Sequence, residues 1–104
     1  MAHKVIIYTQ VTCGPCQEEK MWLTSNNIAF EDRDIRQNEA FFQEAIQLGA
    51  SMTPVTYIEK ENGEQIVIHG FDKEELKKSV GSQLIQRFLR LISQMKVHLQ
   101  LIFV

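Results

Sequence analysis

Cysteine is scarce in this chain: 104 residues carry only two, too few for a disulfide-scaffolded domain. Proline is equally scarce, with two residues, and glycine stops at five, so no low-complexity segment is present. A basic excess is missing as well. The net charge of −2 argues against nucleic acid as the main partner, because nothing balances the phosphates. No charge-free apolar run reaches the ~18 residues that a membrane span needs, so no transmembrane segment is expected. Met1-Ala2-His3-Lys4 lacks the apolar region and cleavage site of a signal peptide, and the expected location is cytoplasmic. Internal repeats are also absent. What remains is ordinary: 44% hydrophobic and 23% charged residues describe one globular domain with a modest core.

Charge divides the chain. Residues 1–82 hold all 13 acids and 8 of the 11 bases, a net −5, while residues 83–104 hold Arg87, Arg90 and Lys96 without an acid, a net +3. The expected organisation is an acidic body, 1–82, followed by a basic, apolar extension, 83–104.

Val5-Ile6-Ile7-Tyr8 reads as a buried strand. Gly14 and Pro15 interrupt it, and a helix begins around Cys16. Met21, Trp22 and Ile28 are its apolar points, Glu18, Glu19 and Lys20 face water, and Asn26-Asn27 stops it. Residues 28–35 form a second strand. Asn38 caps a helix from Glu39 to Leu48, with Phe41, Phe42, Ala45, Ile46 and Leu48 on its apolar face and Gly49 at its end. Val55–Ile58 is a third strand. Glu61-Asn62-Gly63-Glu64 turns it into a fourth, Gln65–His69. Asp72, with Glu75 three residues on, opens a last helix running at least to Val80. The order β-α-β-α-β-β-α makes an α/β domain with a parallel first unit and an antiparallel hairpin.

Both cysteines lie in Cys13-Gly14-Pro15-Cys16. Cys13 falls at a helix start, where free N–H groups and the positive end of the macrodipole stabilise a thiolate. Cys16 comes one turn later on the same side, within reach for a small disulfide ring. Pro15 suits the first helical turn, and Gly14 leaves the approach to Cys13 open. This spacing points to thiol–disulfide exchange, with Cys13 attacking a target disulfide and Cys16 resolving the mixed disulfide. The competing readings are an inert buried cysteine, half of a zinc site and a structural disulfide. Against zinc stands the missing second pair of ligands; against the structural disulfide stands the cytosolic setting. The sequence reveals no buried acid near Cys13, which leaves water or Cys16 as proton acceptor.

Cys-Gly-Pro-Cys after Val-Ile-Ile-Tyr-Thr, with Met52-Thr53-Pro54-Val55 and then Gly70-Phe71-Asp72, resembles the thioredoxin superfamily. Length and element order resemble its glutaredoxin branch, and within it the redoxins that donate electrons to ribonucleotide reductase. The resemblance spans residues 4–82. It implies a four-stranded mixed sheet in the order 2-1-3-4, flanked by helices, with Pro54 cis against the cysteines. It further implies that the Thr53 backbone holds an extended substrate, with Thr12, Gly14, Pro15, Gly70 and Phe71 around the groove, and that no metal or organic cofactor is required. The partners it implies are disulfide-containing proteins and a reductase, either thioredoxin reductase or glutathione. Thr12 stands where thioredoxins carry Trp, and Gln10 where glutaredoxins carry Lys. Phe71 and Lys73 replace a glycine and an acid of the glutathione-binding pattern, which favours thioredoxin reductase as donor.

Other residues have plainer readings. His3 precedes the first strand at the end opposite Cys13, His69 is a solvated strand end, and Tyr8 packs beneath the loop. Trp22, Phe41 and Phe42 are expected in the core. In the extension, Leu84, Phe88, Leu91, Met95, Leu99 and Ile102 follow a helical seam, while Val97, Leu99, Leu101 and Phe103 alternate as in a strand. A prolonged last helix packed on the body, self-association through 84–104, and contact with an anionic membrane all fit that pattern.

Overall fold

A computed structural model describes residues 3–81. The elements are β1 (Lys4–Thr9), α1 (Gly14–Ser25), β2 (Glu31–Asp34), α2 (Glu39–Gln47), β3 (Val55–Glu59), β4 (Gln65–His69) and α3 (Lys73–Leu76), the last continuing as a π-helical turn, Lys77–Gly81. The sheet order is β2-β1-β3-β4. β1 and β2 are parallel, whereas β1 with β3 and β3 with β4 are antiparallel. This is the mixed four-stranded sheet that the thioredoxin-superfamily resemblance implied, with the parallel unit and antiparallel hairpin expected from the element order. The seam and the self-association expected of residues 84–104 lie outside the described residues, as do Met1 and Ala2.

Alternation along the strands gives each sheet face its own core. Val5, Ile58 and Ile68 join Leu76 and Val80 on one face, with Trp22 and Phe71 packed against them. This face lies under α1 and α3. Ile6, Tyr8 and Val55 meet Ala45 of α2 on the other face. Antiparallel β3 starts where β1 ends, so register alone brings Pro54 to the Cys13 end of the sheet.

Local signals hold the helix ends. Asn38 accepts from the Ala40 N–H at 2.8 Å and caps α2. Asp72 accepts from the Glu75 N–H at 3.2 Å and caps α3. Asn26 ends α1, with its side chain donating to the Trp22 carbonyl at 2.8 Å, and Asn27 turns the chain at φ 57°. Gly63 at φ 90° makes the hairpin turn that the Asn-Gly pair calls for.

Four sequence expectations are corrected. β2 is shorter than the apolar run suggested, because Ile28 and Phe30 serve the core from the preceding loop. Met21 is 69% exposed, and Leu23, fully buried, takes the place assigned to it. Phe42 and Ile46 are 40% and 49% exposed, since α2 turns mainly Ala45 inward. Glu19 does not face water: it is fully buried. The inward stripe of α1 is Cys16, Glu19 and Leu23, spaced three and four apart, and a glutamate occupies an otherwise apolar position.

Candidate active site

Cys13 is the N-cap of α1, in extended conformation at φ −91° and ψ 109°. The Cys16 N–H donates to Cys13 Sγ at 3.1 Å. One of the orphan amides of the first turn therefore points at this sulfur, which favours its anionic form when the pair is reduced. Cys13 and Cys16 are joined as a disulfide, with their Cα atoms 5.2 Å apart. The two differ in access: Cys13 is partly exposed, Cys16 fully buried. Pro15 lies in the first helical turn, and a Cβ added at Gly14 would meet no atom within 4 Å. Thr12 and Val11 project into solvent beside the pair.

The Thr53–Pro54 peptide is cis, and the Thr53 carbonyl oxygen lies 3.5 Å from Cys13 Sγ. Gly70, at φ 80°, donates its N–H to the Pro54 carbonyl at 2.8 Å, so the end of β4 is tied to the same loop. Phe71, by contrast, turns towards the core cluster, with Lys73 Nζ 5.8 Å from its ring centre. Thr53, Pro54 and Gly70 are thus gathered around Cys13, while Phe71 is half committed to packing.

A cleft of about 450 Å³ opens beside this loop on the α2 side. Gln10, Arg36, Phe42, Ile46, Met52 and Thr53 line it. Arg36 donates to the Gln10 side-chain oxygen at 2.8 Å, and Gln10 donates to Thr53 Oγ1 at 3.2 Å. Arg36 escaped the sequence reading because nothing local marks it; only the fold carries the end of β2 alongside Thr53.

Glu19 was also missed, and here a signal existed in the Cys16–Glu19–Leu23 spacing. Its Oε2 accepts a short hydrogen bond from the Thr56 hydroxyl, while Oε1 is buried without a partner. Burial pushes its carboxyl up to about 7, and the Thr56 bond offsets only part of that. Nearby, Thr9 donates to Asp32 at 2.5 Å, and Lys20 pairs with Asp32 at 2.7 Å. On the other face, Tyr8 donates to Glu44 at 2.9 Å and packs in the cluster with Ala45 of α2. Among the described residues, no group of three or more His, Cys, Asp or Glu side chains is arranged to hold a metal.

Comparison with known proteins agrees with this geometry. A model of the glutaredoxin family matches residues 5–62. The chain belongs to the glutaredoxin family. Its relatives include the glutaredoxin-like protein NrdH of Lactococcus lactis subsp. lactis, 31% identical over 74 residues that cover 71% of this chain and 96% of that protein. A crystallised thioredoxin-like protein is 32% identical, with a TM-score of 0.65 over 74% of this chain and 100% of that one. The glutaredoxin-like NrdH-redoxin of Escherichia coli shares the fold at 19% identity, with a TM-score of 0.62 over 72% of this chain and 92% of that one. As a glutaredoxin-family redoxin with a Cys-x-x-Cys pair, the chain is a thiol–disulfide oxidoreductase, a class that works with a reductase partner. Among the described residues, no helix is long and apolar enough to cross a membrane.

Proposed function

We propose that this redoxin reduces protein disulfides in the cytoplasm and is recharged by a thioredoxin reductase. Cys13 is the nucleophile and Cys16 the resolving thiol. The observation that carries the reading is the asymmetry of the pair: the sulfur of the partly exposed Cys13 receives the helix amide, and Cys16 is fully buried. Cys13 Sγ attacks one sulfur of the target, the target S–S bond breaks, and a mixed disulfide forms. Cys16 Sγ then bonds to Cys13 Sγ, and the second target sulfur leaves carrying the electron pair. Residues 1–82 suffice for this chemistry, and residues 83–104 serve association.

The target enters as an extended strand against Thr53, using its backbone N–H and C=O, with Pro54, Thr12, Gly14, Pro15 and Gly70 bounding the groove. Phe42, Ile46 and Met52 offer apolar surface beside that path, as a protein segment needs. Two features disfavour glutathione: Phe71 and Lys73 fill positions that its backbone and charges would require to be small and acidic. The NrdH relative supports the same choice of branch.

The test is turnover of one protein disulfide with each donor at matched reducing power. Faster turnover with thioredoxin reductase is expected. Faster turnover with glutathione would restore the reading as a glutathione-dependent glutaredoxin. In parallel, truncation after Gln83 should leave insulin reduction intact and change the mass seen by light scattering.

A further inference from the structure

We propose that Glu19 is the proton acceptor of the resolving half-reaction, taking the proton of the Cys16 thiol as Cys16 Sγ attacks Cys13 Sγ. The inference rests on the assignment of Cys13 as nucleophile and Cys16 as resolving thiol.

The problem it answers is access. Cys16 is fully buried, so its proton has no direct path to bulk water, and a thiol must lose that proton before it attacks. Glu19 sits one turn further along the same inward stripe of α1 and is buried as completely. Residues three apart on a helix have Cβ atoms about 5–6 Å apart, a gap that a glutamate arm or one bridging water spans. A buried carboxyl normally has both oxygens occupied. Here Oε2 is held by Thr56, and Oε1 is buried with nothing bonded to it. The free oxygen belongs to a residue that an apolar side chain would replace at lower cost if packing were its only task.

The surroundings leave the carboxyl able to change state. β3 contributes the neutral Thr56. From β2, Asp32 lies on the same sheet face, opposite Ile7, but its charge is matched by Lys20 of α1 at 2.7 Å and it also accepts from Thr9. Leu76 and Val80, from α3 and the π-helical turn, are apolar. Among the described residues, no cation holds Glu19 ionised. Burial keeps its carboxyl near 7, close to the pH at which a base exchanges protons most efficiently.

The balance is complete. The Cys16 proton passes to the Glu19 carboxylate, the Cys16–Cys13 bond forms, and the bond from Cys13 to the target sulfur breaks. The target thiolate departs with the electron pair and takes its proton from water. Glu19 keeps its proton until the reductase reopens the disulfide, when it returns to Cys16.

The experiment mixes the fully reduced protein with one equivalent of an aromatic disulfide whose two thiolates are coloured. The first release reports attack by Cys13 and the second reports resolution by Cys16. In Glu19→Gln, which keeps shape and the acceptor for Thr56, the second phase should slow by about 100-fold at pH 7, the lower range of general-base effects. It should also lose its inflection near pH 7, while the first phase stays within about twofold. Thr56→Val should shift that inflection to higher pH, because the lost hydrogen bond favoured the charged carboxylate. A second phase unchanged in Glu19→Gln, or an inflection that Thr56→Val leaves in place, would overturn the proposal. Failure of the thiol assignment looks different: Cys13→Ser would then still give the first release and Cys16→Ser would not, whatever stands at position 19.

Discussion

Under α1 and α3 the sheet is sealed, with Val5, Ile58, Ile68, Leu76 and Val80 at most 4% exposed; on the other face Ile6, Tyr8 and Val55 are buried as well, but α2 above them is loose at its flank and leaves Phe42 and Ile46 at 40% and 49%. The sealed face also carries buried polar groups: Cys16, Glu19 and Thr56 lie in the same layer as the core. The loose face satisfies its polar groups at the rim, where Arg33 bridges Glu31 and Glu44 at 2.6 Å each and Glu44 receives the Tyr8 hydroxyl. That division of labour is physical. On the proposed roles, burial keeps the resolving thiol Cys16 from solvent and from stray disulfides. A docking groove must give up water to a partner, so its apolar side chains remain accessible.

The strongest way to break the comparison is at the thiols. Cys13→Ser should abolish protein disulfide reduction, while Cys16→Ser should accumulate mixed disulfides visible as a mass increase. Faster alkylation of Cys16 than of Cys13 by iodoacetamide in the reduced protein would reverse their roles. Next in size is packing. Leu23→Ala, on the sealed side, should cost about 2–5 kcal/mol in denaturant unfolding, whereas Phe42→Ala, on the loose side, should cost less than about 1 kcal/mol. Similar losses at the two positions would show that the faces do not differ as described.

The buried carboxyl sharpens the contrast through pH. Glu19 is raised from 4.5 to about 7 in the folded chain, so between these values the unfolded chain gives up a proton that the native state retains. Its contribution is therefore fully present below pH 4.5 and lost as pH rises towards 7. The difference in stability between the parent and Glu19→Gln should change by about 3 kcal/mol across that window in favour of the variant, then level off. A constant difference would mean that Glu19 is hydrated in the folded state. The smallest effect belongs to the groove. Met52→Ser or Phe42→Ser should raise KM for a protein substrate about fivefold, near the ~1 kcal/mol of partial apolar burial, and leave reduction of a small aromatic disulfide unchanged.

Much of the fold was legible because its signals are local. Asn38, Asp72, Asn26 and the Asn62-Gly63 turn each act on their own few backbone bonds, and the strands follow from short β-branched runs. Placing Cys13 at a helix start needed no more than the strand before it and Pro15 after it. Exposure along the helices was harder to read. Met21 and Phe42 are apolar and face outwards, and Glu19 is charged and faces inwards, because a helix of this length is oriented by its best few contacts rather than by its average polarity.

The sequence alone determined the order of elements, the cap of α1 and the pairing of two thiols one turn apart, since each depends on residues adjacent along the chain. Only the tertiary structure decided that Thr53 meets Cys13 across 40 residues, that Arg36 reaches Gln10, and that Glu19 enters the core beside Thr56. Those contacts depend on strand register and on which face a helix presents, and both are settled by what the rest of the sheet buries.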